Sequence, residues 1–91
     1  MSKILLIAGH GRNYNGSYDP GAVSIFGQEA DYNRELVTMV QQAVGNAVAL
    51  DVYDLNKNCY SYSKAGKAPD YRAYDLVAEI HFNAKAQVVL I

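Results

Sequence analysis

The sequence has a single cysteine and no tryptophan among its 91 residues. One cysteine excludes an internal disulfide and any zinc site built on cysteine pairs. Long apolar runs are missing too: the first, at residues 4–8, is far shorter than the roughly 20 residues of a membrane-spanning helix or the roughly 7–15 of a secretion signal. We therefore predict no membrane insertion and expect no export signal.

An excess of charge of one sign is also lacking. Eight basic and nine acidic residues give a formal net charge of −1, which offers no reason to expect nucleic acid or an anionic membrane as a partner. Hydrophobic residues make up 51% of the chain and charged residues 19%, as in an ordinary globular protein. A chain of this length makes one small domain, so residues 1–91 are predicted to form a single domain.

The hydrophobic pattern predicts an α/β fold. Runs typical of strands lie at residues 4–8, 48–53, 74–82 and 87–91. The first is uninterrupted, which is typical of a buried parallel strand, and the second alternates apolar with other residues. The last is a candidate edge strand for pairing with a second copy of the chain.

A helix is predicted between the first two strands, because the hydrophobic period becomes helical from residue 28. Gly45 is predicted to end it, since glycine is common at helix C-termini. Its apolar stripe consists of Leu36, Val37, Val40, Ala43 and Val44. A strand, a helix and a strand in this order predict a right-handed parallel crossover. The fold class is therefore α/β, with a mostly parallel sheet and flanking helices.

Two connecting segments are predicted to be irregular. Residues 12–27 are rich in Asn, Gly, Asp and Pro, and are expected to be a surface loop. Residues 54–70 are polar and rich in tyrosine, and their pattern allows a short helix without fixing its ends. Cys59 within this segment is interpreted as a small packed residue, because no adjacent base or metal partner is apparent.

Two histidines and one carboxylate are candidates for a common site. His10 follows the first strand between two glycines, and His81 lies at or near the carboxyl end of the third. The carboxyl ends of parallel strands meet at the edge where ligands gather. Glu29 lies in the first helical turn, where helical spacing directs it along the packed face rather than towards water.

Two imidazoles and a carboxylate are the protein ligands of hydrolytic zinc sites, in which water takes the fourth position. Zinc lowers the pKa of that water and polarises the carbonyl that is attacked. Each residue also has an ordinary interpretation: a structural hydrogen bond for His10 and a helix-start contact for Glu29. A nucleotide-binding loop is disfavoured, because the glycines after the first strand do not continue as GxGxxG.

Four short segments resemble one protein family. Residues 8–11 (AGHG), 19–22 (DPGA), 29–35 (EADYNRE) and 80–84 (IHFNA) are similar, in this order, to motifs of the zinc-dependent N-acetylmuramoyl-L-alanine amidases of the amidase-3 type. These enzymes occur in bacterial autolysins and phage endolysins. The resemblance implies a three-layer fold and a zinc ion held by His10, Glu29 and His81.

The resemblance also implies a reaction and a place of action. The expected substrate is the amide between N-acetylmuramic acid and L-alanine in peptidoglycan, and its hydrolysis degrades the bacterial cell wall. A chain made in the cytoplasm without a signal peptide would reach the wall through a holin if it is phage-encoded. Peptidoglycan is the expected partner.

The chain departs from the family pattern in two places. Family members commonly carry an acid two residues before the first histidine, where this chain has Ala8. Their catalytic glutamate lies in a region that would follow Ile91, so the chain is expected to be a truncated or shortened form of the domain. The alternative function is a non-catalytic, zinc-containing fragment that binds or regulates the wall.

Two further residues are candidates for the missing chemistry. Glu79 shares a strand face with His81, two residues on, so it is a candidate stand-in base; its ordinary role would be a structural hydrogen bond. Asn83 is a candidate for orienting His81 or binding substrate, although asparagine after a strand is usually a turn residue.

Overall fold

The computed structural model describes residues 2–82 and 86–90, the latter through their backbone. Extended and helical segments follow one another in the order that the hydrophobic pattern predicts. The elements are β1 (Lys3–Ala8), β2 (Gly11–Arg12), β3 (Tyr18–Asp19), β4 (Val23–Ser24), β5 (Gly27–Gln28), α1 (Glu29–Val44), β6 (Ala49–Val52), α2 (Cys59–Lys64), a 3-10 turn (Tyr71–Ala73), β7 (Leu76–Phe82) and β8 (Ala86–Leu90).

Four strands form the central sheet in the order β6-β1-β7-β8. Strand β1 pairs in parallel with both neighbours, so that Ile4 lies opposite Leu50 on one side and Leu76 on the other. Strand β8 runs antiparallel to β7, with His81 opposite Gln87. The predicted α/β fold with a parallel crossover is confirmed, and its parallel part comprises three strands.

Alternation along β1 buries apolar side chains on both faces of the sheet. The cluster on the side of α1 consists of Leu6, Ala8, Val37, Ala78 and Ile80. The opposite cluster consists of Leu5, Ile7, Cys59 and Val77. Cys59 is 2% exposed, so its interpretation as a packed residue is confirmed.

Helix α1 starts at Glu29 and ends before Gly45, within one residue of the prediction. The N–H of Gly45, at φ 50°, donates to the carbonyl of Gln41 and closes the last turn. Val37 is completely buried at the centre of the stripe. Ala43 is exposed, so its assignment to the stripe was wrong: helical rotation places it about 120° from Val37, beyond the contact with the sheet.

Strand β7 begins at Leu76, two residues later than the sequence predicts. The reason is that Tyr74 closes the 3-10 turn, since its N–H donates to the Tyr71 carbonyl at 3.2 Å. The last strand spans Ala86–Leu90, and the predicted end at Ile91 lies outside the described residues.

The segment 12–27, predicted as an irregular loop, contains two short antiparallel ladders, β2 with β3 and β4 with β5. Segment 54–70 contains a short helix, α2. Within the described ranges, no helix combines the length and the apolar character that crossing a membrane requires.

Candidate metal centre

The three predicted ligands come from three elements that meet at one edge of the sheet. His10 follows β1, Glu29 is the first residue of α1, and His81 lies near the end of β7. The N–H of Gly9 donates to the Ile80 carbonyl at 2.9 Å, which continues the pairing of β1 with β7 up to the site. Parallel pairing therefore brings together two histidines that are 71 positions apart.

The inward-facing atoms of these residues form a nearly equilateral triangle. Glu29 Oε2 lies 3.1 Å from His10 Nε2 and 3.1 Å from His81 Nδ1, and the two nitrogens are 3.3 Å apart. Nitrogen and oxygen ligands about 2.0–2.1 Å from a tetrahedral zinc ion lie about 3.3–3.4 Å from one another. The donor set and its spacing therefore fit a zinc ion.

Each histidine ring is held from behind by a carboxylate. His10 Nδ1 lies 2.8 Å from Asp19 Oδ2, and His81 Nε2 lies 2.9 Å from Glu79 Oε2. A carboxylate only accepts hydrogen bonds, so the outer nitrogen of each ring is the donor. In the neutral rings the inner nitrogens then present lone pairs, as a metal ligand must.

Three acceptor atoms facing one another at 3.1–3.3 Å repel when no hydrogen lies between them. A cation at the centre of the triangle relieves this repulsion. The outer carboxylates therefore strengthen the case for a metal beyond the spacing alone, because they fix the rings in the ligating tautomer.

Glu29 is 3% exposed and fully engaged by hydrogen bonds, as its predicted position on the packed face requires. Its Oε1 accepts the N–H of Ala22, and its Oε2 accepts the N–H of Phe82, both at 3.1 Å. Burial alone would raise the pKa of Glu29, but the hydrogen bond from the Ala22 amide outweighs it, together with the attraction of His10 whenever that ring is protonated and with the contacts of His81 and Asn33, so the pKa is lowered. The carboxylate is therefore held in its ionised form, which is the form that a metal would need.

Asp19 is a site residue that sequence reasoning missed. Burial raises the pKa of its carboxyl, but the hydrogen bonds from His10 and from the Gly21 amide outweigh this effect and lower it. Asp19 pairs with Gly11 in the ladder of β2 with β3, directly beside His10. It supplies the carboxylate behind His10, a role that Ala8, two residues before His10, has no side chain to fill.

Gly21 lies in the turn after Asp19, close to both His10 and Glu29. Its φ is +69°, and a Cβ atom there would lie 2.7 Å from His10 Cδ2 and 2.8 Å from Glu29 Oε1. Gly9 is similarly crowded, because a Cβ would lie 2.5 Å from His81 Cε1. Both positions require the absence of a side chain.

Arg34 is a second residue that sequence reasoning missed. Its guanidinium donates to backbone carbonyls of several segments: Gly9, His10, Ala30, Leu55 and Lys57. The bond to the His10 carbonyl is 2.7 Å long, and His10 itself has φ 62°, in the left-handed region that few residues other than glycine adopt. Arg34 therefore fixes an uncommon backbone conformation next to the ligating ring.

Glu79 and Asn83 are the other two predicted site residues. Glu79 shares the face of His81, as predicted, and its hydrogen bond to the ring is the ordinary structural role of a strand carboxylate. Glu79 also lines a cavity of about 360 Å³ beside His10 and His81, and its action as a base stays a prediction. Asn83 lies outside the described residues. The cavity is lined by His10, Asp19, Asn58, Tyr60, Glu79 and His81.

Comparison with protein-family models, curated proteins and solved structures gives no match for this chain. Two features of the chain bear on its function: the geometry of the triangle and the four sequence motifs.

Proposed function

We propose that this chain is a zinc-dependent amidase that hydrolyses the bond between N-acetylmuramic acid and L-alanine in peptidoglycan. The observation that carries the proposal is the triangle of His10, Glu29 and His81, with each imidazole backed by a carboxylate. The triangle supports a metal-assisted hydrolysis, and the motifs that resemble the amidase-3 family supply the substrate class. His10 and His81 line a cavity of about 360 Å³, which is large enough for an amide and its neighbouring groups.

In this proposal His10, Glu29 and His81 hold the zinc ion. When bound, zinc would supply a water of lowered pKa and polarise the carbonyl of the scissile amide. Asp19 and Glu79 keep the outer ring nitrogens protonated and restrict the rings to one orientation.

Amide hydrolysis also needs a group that accepts a proton from water and delivers one to the leaving nitrogen. Glu79 is our candidate, because the residue lines the cavity beside the histidines and contacts His81 through Oε2 alone of its two oxygens. The other oxygen, Oε1, is the atom that would accept and return the proton.

One observation favours a second candidate function. Both carboxylates at the cavity, Asp19 and Glu79, are bonded to histidine rings, and within the described residues no third carboxylate lines it. A site without a free base suits a non-catalytic module that contains zinc and binds or regulates the cell wall.

The decisive experiment measures zinc content and wall cleavage on the same preparation. We expect one zinc per chain and release of new L-alanine amino termini from purified cell walls. The release should stop with a chelator and resume with added zinc. Glu29→Gln should lose both zinc and cleavage, whereas Glu35→Gln, on the exposed side of the same helix, should keep both.

Each other outcome decides between the candidates. A folded, zinc-loaded chain that sediments with walls but releases no amino termini favours the non-catalytic module. A chain that takes up no stoichiometric zinc contradicts both proposals.

A further inference from the structure

A second cavity, of about 370 Å³, adjoins the cavity that His10 and His81 line. The two share Asp19, Asn58 and Tyr60 in their walls, so together they form one groove that leads away from the histidines. The outer part of this groove is lined in addition by Asn13, Asn15, Ser61 and Lys64.

The shared wall of the groove is fixed by hydrogen bonds. Asn58 is 4% exposed, and its amide donates to Asn13 Oδ1 at 2.8 Å and to Asp19 Oδ2 at 3.4 Å. The same Asp19 oxygen contacts His10, so the outer groove and the metal centre share one hydrogen-bond network.

Lys64 and Tyr60 form the outer wall. They lie four residues apart on α2, and Lys64 Nζ is 5.4 Å from the centre of the Tyr60 ring. The Tyr60 side chain is 65% exposed, which leaves much of the ring free to pack against a ligand. Lys64 is the one cationic side chain among the described residues that line the groove.

We infer that the outer groove binds the peptide that follows the scissile amide, with Lys64 pairing with a carboxylate of that peptide. This inference rests on the proposed function and names the substrate feature that the same site selects. The Asn15 amide nitrogen and the Ser61 hydroxyl, which accepts from the Tyr14 N–H and keeps its own proton to donate, offer hydrogen bonds to peptide groups, and the Tyr60 ring packs against the peptide chain.

Other ligands fit the groove less well. A second metal ion would need several anionic ligands, and Asp19 is the one carboxylate among the described residues of the outer groove. A single lysine is too little charge for a nucleic acid strand, and the polar walls do not suit an apolar ligand.

The test uses peptides that the amidase cannot cut at the proposed bond. L-Alanyl peptides of two to four residues, ending either in a carboxylate or in a carboxamide, are titrated into the zinc-loaded chain by calorimetry at low ionic strength. At one length or more, the carboxylate form should bind about threefold to fivefold more tightly, as an exposed ion pair allows.

Lys64→Gln should abolish this preference. Lys67→Gln is the matched control, because Lys67 lies over Tyr14 and does not line the groove, and it should leave the preference unchanged. Equal affinity of the two forms at every length, no binding of any peptide, or a preference that survives Lys64→Gln would each overturn the inference. Since these peptides lack the muramoyl amide, the result is independent of whether the chain cleaves cell walls.

Discussion

At the residue scale, the most informative side chain is Asp19. Its carboxylate contacts His10 Nδ1 and so favours the tautomer in which Nε2 presents a lone pair towards Glu29 and His81. We expect Asp19→Asn to weaken zinc binding by about 10–100-fold, because loss of such a supporting carboxylate lowers the basicity and the order of the ligand. Competition with a chromophoric chelator measures the affinity.

Asp31→Asn is the control for this change, since Asp31 is exposed in the first turn of α1. An Asp19→Asn chain with the zinc affinity of the control would show that the contact with His10 does not support the site. The thermal stability of both variants without metal should be compared, so that a folding defect is not mistaken for lost affinity.

Glu79 is the residue on which catalysis depends in our proposal. We expect Glu79→Gln to lower turnover at saturating zinc by about 100-fold or more, because a general acid–base group typically contributes that much. The measurement is release of L-alanine amino termini per bound zinc. If Glu79 only orients His81, turnover per bound zinc will stay near that of Glu35→Gln while zinc affinity falls.

The sequence was sufficient to predict that His10, Glu29 and His81 lie together. Each lies next to a strand end or a helix start that the pattern reveals, and these three places are neighbours in a parallel crossover. It was not sufficient to find Asp19. Asp-Pro-Gly is ordinary turn chemistry, and its role depends on the two-residue pairing of β2 with β3, which has no hydrophobic period of its own. The contact of Asp19 with the His10 ring forms only when the chain folds, so no local sequence pattern predicts it.

At the scale of elements, Arg34 connects α1 to the loops that follow β1 and β6. We expect Arg34→Met to reduce the free energy of unfolding of the metal-free chain by roughly 2–4 kcal/mol, because part-buried carbonyls lose charged donors. Urea unfolding monitored by circular dichroism measures the change.

Arg72→Met is the matched control for Arg34→Met, since the Arg72 side chain is 95% exposed. A similar, small effect of both substitutions would show that the guanidinium contacts of Arg34 add nothing to stability. Sequence alone does not reveal this role, because a helical arginine is usually a solvated residue.

The bounds of a strand or helix could be predicted from the sequence where its hydrophobic pattern repeats several times. Strand β1 and helix α1 carry several repeats of their pattern, and their bounds were predicted within about one residue. The start of β7 was misplaced because aromatic residues before it belong to a 3-10 turn, whose backbone bonding leaves no mark on hydrophobic alternation.

At the scale of the whole molecule, a zinc ion would link His10, near the start of the chain, to His81, 71 positions later. Ligand binding to the folded state alone stabilises it by about 2.7 kcal/mol at a free concentration 100 times the dissociation constant. For a domain of this size we expect a rise in the melting temperature of roughly 10–20 °C. Differential scanning calorimetry with and without added zinc measures this shift, and an unchanged transition would argue against a zinc site.

Alkaline pH should destabilise the fold through Tyr53, which is partly buried, and the buried Cys59. Burial, with lesser repulsion from the Cys59 thiolate and other groups, raises the pKa of Tyr53 to about 12 from its ordinary value of 10.0, and burial also raises the pKa of Cys59. Since the folded state resists ionisation of Tyr53, its stabilising contribution is complete below pH 10 and is lost as the pH rises towards 12.

Thermal unfolding between pH 8 and pH 12 measures this loss, which begins near the unfolded tyrosine pKa of about 10. Tyr53→Phe should reduce the slope of melting temperature against pH in the upper half of that range. Tyr14→Phe, at a side chain that is 53% exposed, is the control and should leave the slope as it is.

The crowding around Gly9 and Gly21 has a consequence for genetic screens of this chain. A Cβ atom at either position would overlap the rings or the carboxylate of the centre, so even alanine is excluded there. In a saturation library selected for bound metal, we expect every codon other than glycine to be depleted at these sites. Gly9 and Gly21, which have no functional group, would thus be as intolerant of substitution as the candidate ligands themselves.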